Sequence, residues 1–393
     1  MRNDLEAIAP LLPALTAFRR DIHAHPELAY EEHRTAAIVA RELEALGLEV
    51  ATGIGGTGVV GTLRRGASPR TLGLRADMDA LPFEEETGLP HASTVSGAFH
   101  GCGHDGHTAI LLGAARHLSA KGTFDGTIHF IFQPAEEGKG GARAMIRDGL
   151  FDRFPCDRVF ALHNWPDLPA GTLQTRAGPI MASADKFEIV LTGKGGHAAI
   201  PHCTPDAILA ASELVGQLNT IVSRRVPPTE AAVLSVTRIE GGKTHNVLPA
   251  EVRLMGTVRT FDPAIQDMIE SSLRDMAAGV AQSCRVTAEV LYDRYYPATV
   301  NDADCAEIAI AAAAAIPGVT AAAAPHAAFT SEDFAFMLQQ RPGAYAWLGQ
   351  GRGADSPPLH NPRYDFNDEV IATGVAWFAS LAHRLLGEGK AAA

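Results

Sequence analysis

Three short apolar segments each break straight into polar residues, and this repeated junction constrains the fold more than any other feature. Residues 71–74 run into Arg75-Ala76-Asp77-Met78-Asp79. Residues 127–132 run into Gln133-Pro134-Ala135-Glu136-Glu137-Gly138, and residues 158–162 into His163-Asn164-Trp165. Helical stretches at 108–120 and 142–148 lie between them. Strands alternating with helices predict an α/β fold whose mainly parallel sheet is covered on both faces. Ligands of such sheets gather at the carboxyl ends of the strands. Asp77, Glu136, Glu137 and His163 are therefore expected on one functional edge.

The chain also reads as a helix, a bend and a helix over 14–47, interrupted by Pro26 and ended by Gly47. Near residue 183 the pattern changes. Residues 186–191 alternate like a half-buried strand, 205–224 read as a helix, 233–239 and 247–258 as strands, 263–281 as a helix and 285–295 as a last strand. That β-α-β-β-α-β order is ferredoxin-like. A helix and strand pattern resumes after Pro297, so the expected organisation is a catalytic domain of residues 1–182 plus 298–393 with an inserted α+β lid at 183–297. A chain of 393 residues is long enough for two domains.

A formal net charge of −12 and the lack of a basic run with interleaved aromatics argue against a nucleic-acid partner. No uncharged apolar run is long enough for a membrane span, and Met1-Arg2-Asn3-Asp4-Leu5-Glu6 does not resemble a signal peptide. Five scattered cysteines, at 102, 156, 203, 284 and 305, suit a reducing cytoplasm better than a disulfide scaffold. Only residues 389–393 read as a tail.

The chemistry concentrates in Gly101-Cys102-Gly103-His104-Asp105-Gly106-His107. Cys102 and His104, spaced by glycine, point two soft or borderline donors the same way and suggest a metal ion, with Asp105 or His107 as a further candidate donor. Asp105 also suits the N-cap of the helix that follows. Two other readings stand at this point: a buried cysteine beside a capping aspartate, and a cysteine nucleophile with a histidine base. The second leaves Glu136 and Glu137 without a role. Adjacent carboxylates at the end of an apolar strand divide naturally around a metal, one ligating and one taking a proton from water. The competing reading is an exposed acidic turn, as expected for Glu84-Glu85-Glu86. His163 ends a strand on the same edge. His360 taken alone is a loop histidine. Asp77 and Asp79 suit the orientation of a ligand histidine, and Asp77 suits a turn cap equally.

In the second region, Gly193-Lys194-Gly195-Gly196-His197-Ala198 lacks the phosphate-loop order and is not read as one. Thr244-His245-Asn246 and Val258-Arg259-Thr260 add groups suited to polarising a carbonyl and holding a carboxylate.

Taken together these motifs resemble the metal-dependent N-acyl-amino-acid amidohydrolases, the group of hippurate hydrolases and auxin-amino-acid conjugate hydrolases within the M20-type metallopeptidase clan. The resemblance runs from Arg20-Asp21-Ile22-His23-Ala24-His25-Pro26-Glu27-Leu28 to Leu359-His360-Asn361-Pro362-Arg363-Tyr364-Asp365-Phe366. It implies two divalent ions, Mn²⁺ foremost with Zn²⁺, Ni²⁺ or Co²⁺ as alternatives, held by Cys102, His104, Glu137, His163 and His360, with Cys102 bridging. It implies Glu136 as general base, His197 and Asn246 at the oxyanion, Arg259 on the substrate carboxylate, and Asp77 behind the ligands; it leaves His107 a helix residue. It also implies a homodimer or tetramer through the lid, with His197 acting in cis or in trans. The wider clan carries His-x-Asp where this chain has Arg75-Ala76-Asp77, and a bridging aspartate in place of Cys102. Gly101 and Thr330 are local departures. The implied activity is hydrolysis of N-acyl-L-amino acids. A dipeptidase or carboxypeptidase on the same scaffold is the nearest rival, and a catalytically silent metal-dependent binding protein is a rival of another class.

Overall fold

The computed structural model describes residues 2–353 and 356–387, so the tail read at 389–393 lies outside the described residues. The chain divides into two compact units: Met1–Ile180 with Val300–His326 and Asp333–Ala393, and Met181–Thr299 with Ala327–Glu332. In chain order the main strands are β1 (Glu49–Ile54), β2 (Gly58–Arg65), β3 (Thr71–Asp77), β4 (Gly126–Gln133), β5 (Arg158–Pro169), β6 (Thr172–Thr175), β7 (Ala184–Thr192), β8 (Ala232–Gly241), β9 (Glu251–Thr260), β10 (Thr287–Tyr296), β11 (Thr320–Ala323) and β12 (Gly343–Gly351). The main helices are α1 (Leu12–Ala24), α2 (His33–Ala45), α3 (His104–Lys121), α4 (Ala207–Arg224), α5 (Pro263–Cys284), α6 (Ala303–Ala314) and α7 (Ile371–Leu386).

The first unit is built on an eight-stranded sheet in the order β1-β2-β4-β3-β5-β12-β6-β11. Its centre, β4-β3-β5-β12, is parallel, and β1-β2-β4 and β12-β6 pair antiparallel. The central strands are buried along nearly their whole length, as expected of a parallel sheet covered by helices. Leu72, Leu74, Phe130, Phe132 and Phe160 share one core with Ile110 and Leu111 of α3 and Trp377 and Phe378 of α7. The registers Leu74↔Phe130 and Leu74↔Phe160 align the strands, so that β3 and β4 end on one edge at Asp77 and Gln133, while β5 does not stop at His163 as the sequence suggested but runs on to Pro169, paired with β12.

The second unit has a four-stranded antiparallel sheet in the order β8-β9-β7-β10, with β7-α4-β8-β9-α5-β10 along the chain. This is the ferredoxin-like arrangement. Its own core joins Ile189, Leu191, Leu214, Leu254 and Leu273. Asp206 and Asp262 cap α4 and α5 through their side chains. Within this unit some boundaries differ from the sequence reading. Residues 247–258 are not one strand, because Pro249 separates a short Val247–Leu248 bridge segment from β9. Arg285 lies in the left-handed region (φ 57°) as the C-cap of α5, and β10 begins at Thr287.

Candidate metal centre

The site is assembled where β3 and β4 end, β5 passes through His163 and α3 begins. Gly103 is the N-cap of α3, with φ at 90°. A Cβ there would meet Asn164 Oδ1 and Tyr364 Oη at 2.4 Å, so the turn that presents Cys102 and His104 requires glycine. The helix therefore starts at His104, and Asp105 is not its cap. Asp105 is buried in the first turn and accepts from His23 Nδ1 at 2.8 Å and Arg19 Nη1 at 3.3 Å. Burial disfavours the charged His23 ring, but Asp105 and Glu85 outweigh it and raise its pKa to about 9. Glu85 also departs from the exposed acidic turn expected of it. Its side chain is 3% exposed, 3.4 Å from His23 Nε2, and it accepts from Ser93 N at 2.6 Å.

Two sets of donors share the Cys102 thiol. Cys102, His104 and His163 each offer an atom within 4.8 Å of the others, and so do Cys102, Glu137 and His360. Cys102 Sγ lies 3.3 Å from His163 Nε2, and Glu137 Oε1 lies 3.4 Å from His360 Nε2 and 3.9 Å from His104 Nε2. His104 Nδ1 donates to the Asp79 carbonyl at 2.9 Å, and His163 Nδ1 donates to the Asn164 carbonyl at 2.7 Å. Each ring thereby turns its Nε2 inward as a lone-pair donor. His104 Nε2 and Glu137 Oε1 are buried and have no hydrogen-bond partner among the described residues. With His104 neutral these would be two unpaired buried acceptors facing one another, which is costly; a proton on the ring relieves this in part, and a divalent cation satisfies both. The residues present fit a metal.

The electrostatics agree. Burial, then Glu137, Glu136 and Asp77, push the Cys102 thiol well above its ordinary pKa. Burial pushes His163 well below its ordinary value. For His104, burial opposes charge, but Asp77, Asp79 and Glu137 prevail and raise it to about 10. A cluster this rich in carboxylates retains protons on sulfur and imidazole, and a dication takes their place.

Glu136 is 7% exposed, and its Oε1 accepts from Asp333 N at 3.3 Å. It is no exposed acidic turn. Asp77 lies 3.7 Å from His104 Nε2, but its closer partners are His107 Nδ1 at 2.6 Å and Arg75 Nη1 at 2.7 Å. His107 is thus more than a helix residue: it stands between Asp77 and Asn164, with its ring 4.5 Å from that of His163. The i,i+3 spacing from His104 carries that signal. Asp333 was not singled out from sequence. It binds Arg75, Gln133 and the Ala142 amide, and nothing local in its sequence announces this.

The three remaining candidates lie in the second unit. His197 and Asn246 are neighbours: the Ala198 amide donates to the Asn246 carbonyl at 3.0 Å, and His197 pairs in register with Val247. Both side chains are exposed. Arg259 lies on β9, opposite Val233, and its Nη1 is buried without a hydrogen-bond partner among the described residues.

A family model described as Peptidase family M20/M25/M40 matches residues 73–384. The chain belongs to this family. It is similar to a hippurate hydrolase of Campylobacter jejuni, 38% identical over 98% of this chain and 100% of that protein. It is equally similar, at 38%, to an N-acetylcysteine deacetylase of Bacillus subtilis over 94% of this chain and 96% of that protein. Among solved structures, a dinuclear metal-binding M20 peptidase of Bacillus subtilis superposes with a TM-score of 0.85 at 35% identity, covering 97% of this chain and 99% of its own. This M20 protein is accordingly a hydrolase of the amidohydrolase type, with a mainly parallel catalytic sheet and an antiparallel second sheet.

Proposed function

We propose that this enzyme hydrolyses the amide bond of N-acyl-L-amino acids of the N-acetyl or N-benzoyl type, releasing a carboxylic acid and the free amino acid. The observation that carries this reading is the pair of donor sets sharing Cys102, with the buried Glu136 beside them. Two divalent ions held by Cys102, His104, Glu137, His163 and His360 would supply Lewis-acid polarisation of the scissile carbonyl and acidify water; Mn²⁺ is the ion placed there first, and the thiolate and imidazole donors also admit Zn²⁺, Ni²⁺ or Co²⁺. Glu136 takes the proton of the attacking water and returns it to the leaving amine. The Asp333 amide holds Glu136 Oε1 in place meanwhile. Asp77 and Asp79 fix the rings around the centre. His197 and Asn246 stabilise the oxyanion, and Arg259 binds the substrate carboxylate, His197 serving its own or a partner subunit.

The test is Glu136→Gln. It retains its metals by elemental analysis and loses about 10²–10⁴-fold in kcat. A rate near wild type would remove the base, and full activity after chelation would remove the metals. The peptidase name of the solved relative favours a second reading, peptide-bond cleavage by a dipeptidase or carboxypeptidase on the same scaffold. A panel of hippurate, N-acetyl amino acids and dipeptides separates the two by kcat/KM.

A further inference from the structure

The turn that carries Glu136 and Glu137 is held in an unfavourable backbone conformation. Ala135 has φ 53° and ψ 45°, a left-handed geometry that an alanine seldom adopts unless its surroundings impose it. Three successive amides of this turn are gripped by two carboxylates. Asp79 Oδ1 accepts from Glu136 N at 3.0 Å, and Asp79 Oδ2 accepts from Glu137 N at 2.9 Å. The third amide, Ala135 N, donates at 2.8 Å to Glu32 Oε1, from 103 residues away in sequence.

Glu32 is fully buried, and among the described residues no Lys or Arg pairs with it. Oε1 also accepts from Tyr30 N at 3.1 Å, and Oε2 accepts from the Thr57 hydroxyl. The segment around it is itself fastened. Glu27 accepts from the amides of Arg34 and Thr35 at 2.8 Å each, and its carbonyl accepts from Ala80 N at 2.8 Å, one residue past Asp79. One short stretch, residues 27–35, thus braces both the Asp79 loop and the glutamate turn. Tyr30 adds a bond from its hydroxyl to the Lys139 carbonyl at 3.1 Å. A buried carboxylate is retained at a cost in solvation, here offset by donors that all belong to the backbone or a hydroxyl.

We infer that Glu32 is a positioning residue: by holding the Ala135 amide in the left-handed turn, it aims Glu137 at its metal and Glu136 at the water. The inference rests on the functional reading above. Removing Glu32 leaves a buried N–H unpaired and frees Ala135 to return to an ordinary conformation, which turns both glutamates.

The experiment compares Glu32→Ala, Glu32→Gln and the double variant Glu32→Ala with Ala135→Gly. Mn²⁺ alone is titrated calorimetrically into metal-free protein, and kcat and KM are then measured with N-acetyl-L-methionine. Glu32→Ala binds Mn²⁺ about 10–100-fold more weakly and loses a similar factor in kcat, with KM within about threefold of wild type. Glu32→Gln, which still offers an acceptor to the amides and an NH₂ to the Thr57 oxygen, stays within about threefold in both. Ala135→Gly, placed in the Glu32→Ala background, restores a measurable part of the affinity because glycine adopts the left-handed turn freely. Should Glu32→Ala fail to fold, Glu32→Asp carries the same comparison with the charge kept and the reach shortened. Wild-type Mn²⁺ affinity and kcat in Glu32→Ala overturn the inference, as does equal damage in Glu32→Gln. A wild-type protein that binds Mn²⁺ but leaves N-acyl amino acids intact defeats the substrate reading instead, and the Mn²⁺ affinities still decide the role of Glu32.

Discussion

Cys102 is the one donor common to both sets, and this gives the thiol a testable signature. His163 belongs to one set with it and His360 to the other. Replacing either histidine by alanine removes a ligand from one ion, whereas Cys102→Ala removes one from both. Elemental analysis after desalting is expected to find the metal-to-protein ratio reduced by about one ion in His163→Ala and in His360→Ala, and close to zero in Cys102→Ala. A Cys102→Ala protein that keeps as much metal as either histidine variant is not missing a bridge. At this scale the sequence was readable where residue type limits chemistry. A Cys-Gly-His loop and two glutamates after a buried strand leave few uses other than a metal. It was less readable where a side chain's role is set by something distant. Asp105 has the type and position of a cap, but the cap is Gly103, and Asp105 serves Arg19 and His23 instead. His360 is 53% exposed on a loop with φ 64°, and only the tertiary fold brings it to Glu137.

Among the elements, the strands were the most legible, because apolar runs that end in carboxylates or histidine read as buried parallel strands with a functional edge. What they conceal is their own polar interior. His129 lies in the middle of β4, 4% exposed, with Nδ1 3.0 Å from Thr62 Oγ1 and its ring 5.6 Å from that of Phe154. Burial, then the charge of Arg64, lowers its pKa to about 4. Above pH 6.5 neither the folded nor the unfolded state protonates it, and stability is unaffected. As pH falls from 6.5 towards 4, the unfolded chain takes up a proton that the folded strand refuses, so stability is lost across that window and levels off below it. The full effect is about 3 kcal/mol. Urea titrations at pH 7 and pH 5 should show wild type losing about 2 kcal/mol more than His129→Gln over that interval. Parallel losses in the two proteins would mean that another group sets the acid sensitivity of this sheet.

For the molecule as a whole, the β-α-β-β-α-β order was visible because each element has a clear period, and the four-stranded antiparallel sheet follows it. The six residues Ala327–Glu332 that group with the second unit have no period to read, and only contacts reveal them. Two separate cores, one around Phe130 and Trp377 and one around Leu214 and Leu254, make each unit a candidate for its own cooperative transition. All five proposed metal donors belong to the first unit, and so do all three tryptophans, Trp165, Trp347 and Trp377. Tryptophan fluorescence therefore follows the first unit alone, while far-ultraviolet circular dichroism follows both. Metal that binds only the folded first unit stabilises it by about 4 kcal/mol at a thousandfold excess over Kd. For a unit of this size that corresponds to roughly 10 °C in the midpoint. With Mn²⁺ replaced by EDTA, the fluorescence transition should move down by that amount. The dichroism curve should keep a second component at its original temperature. Fluorescence and dichroism transitions that coincide with metal and move together without it would show one cooperative body, and the metal would then be holding the inserted sheet as firmly as its own.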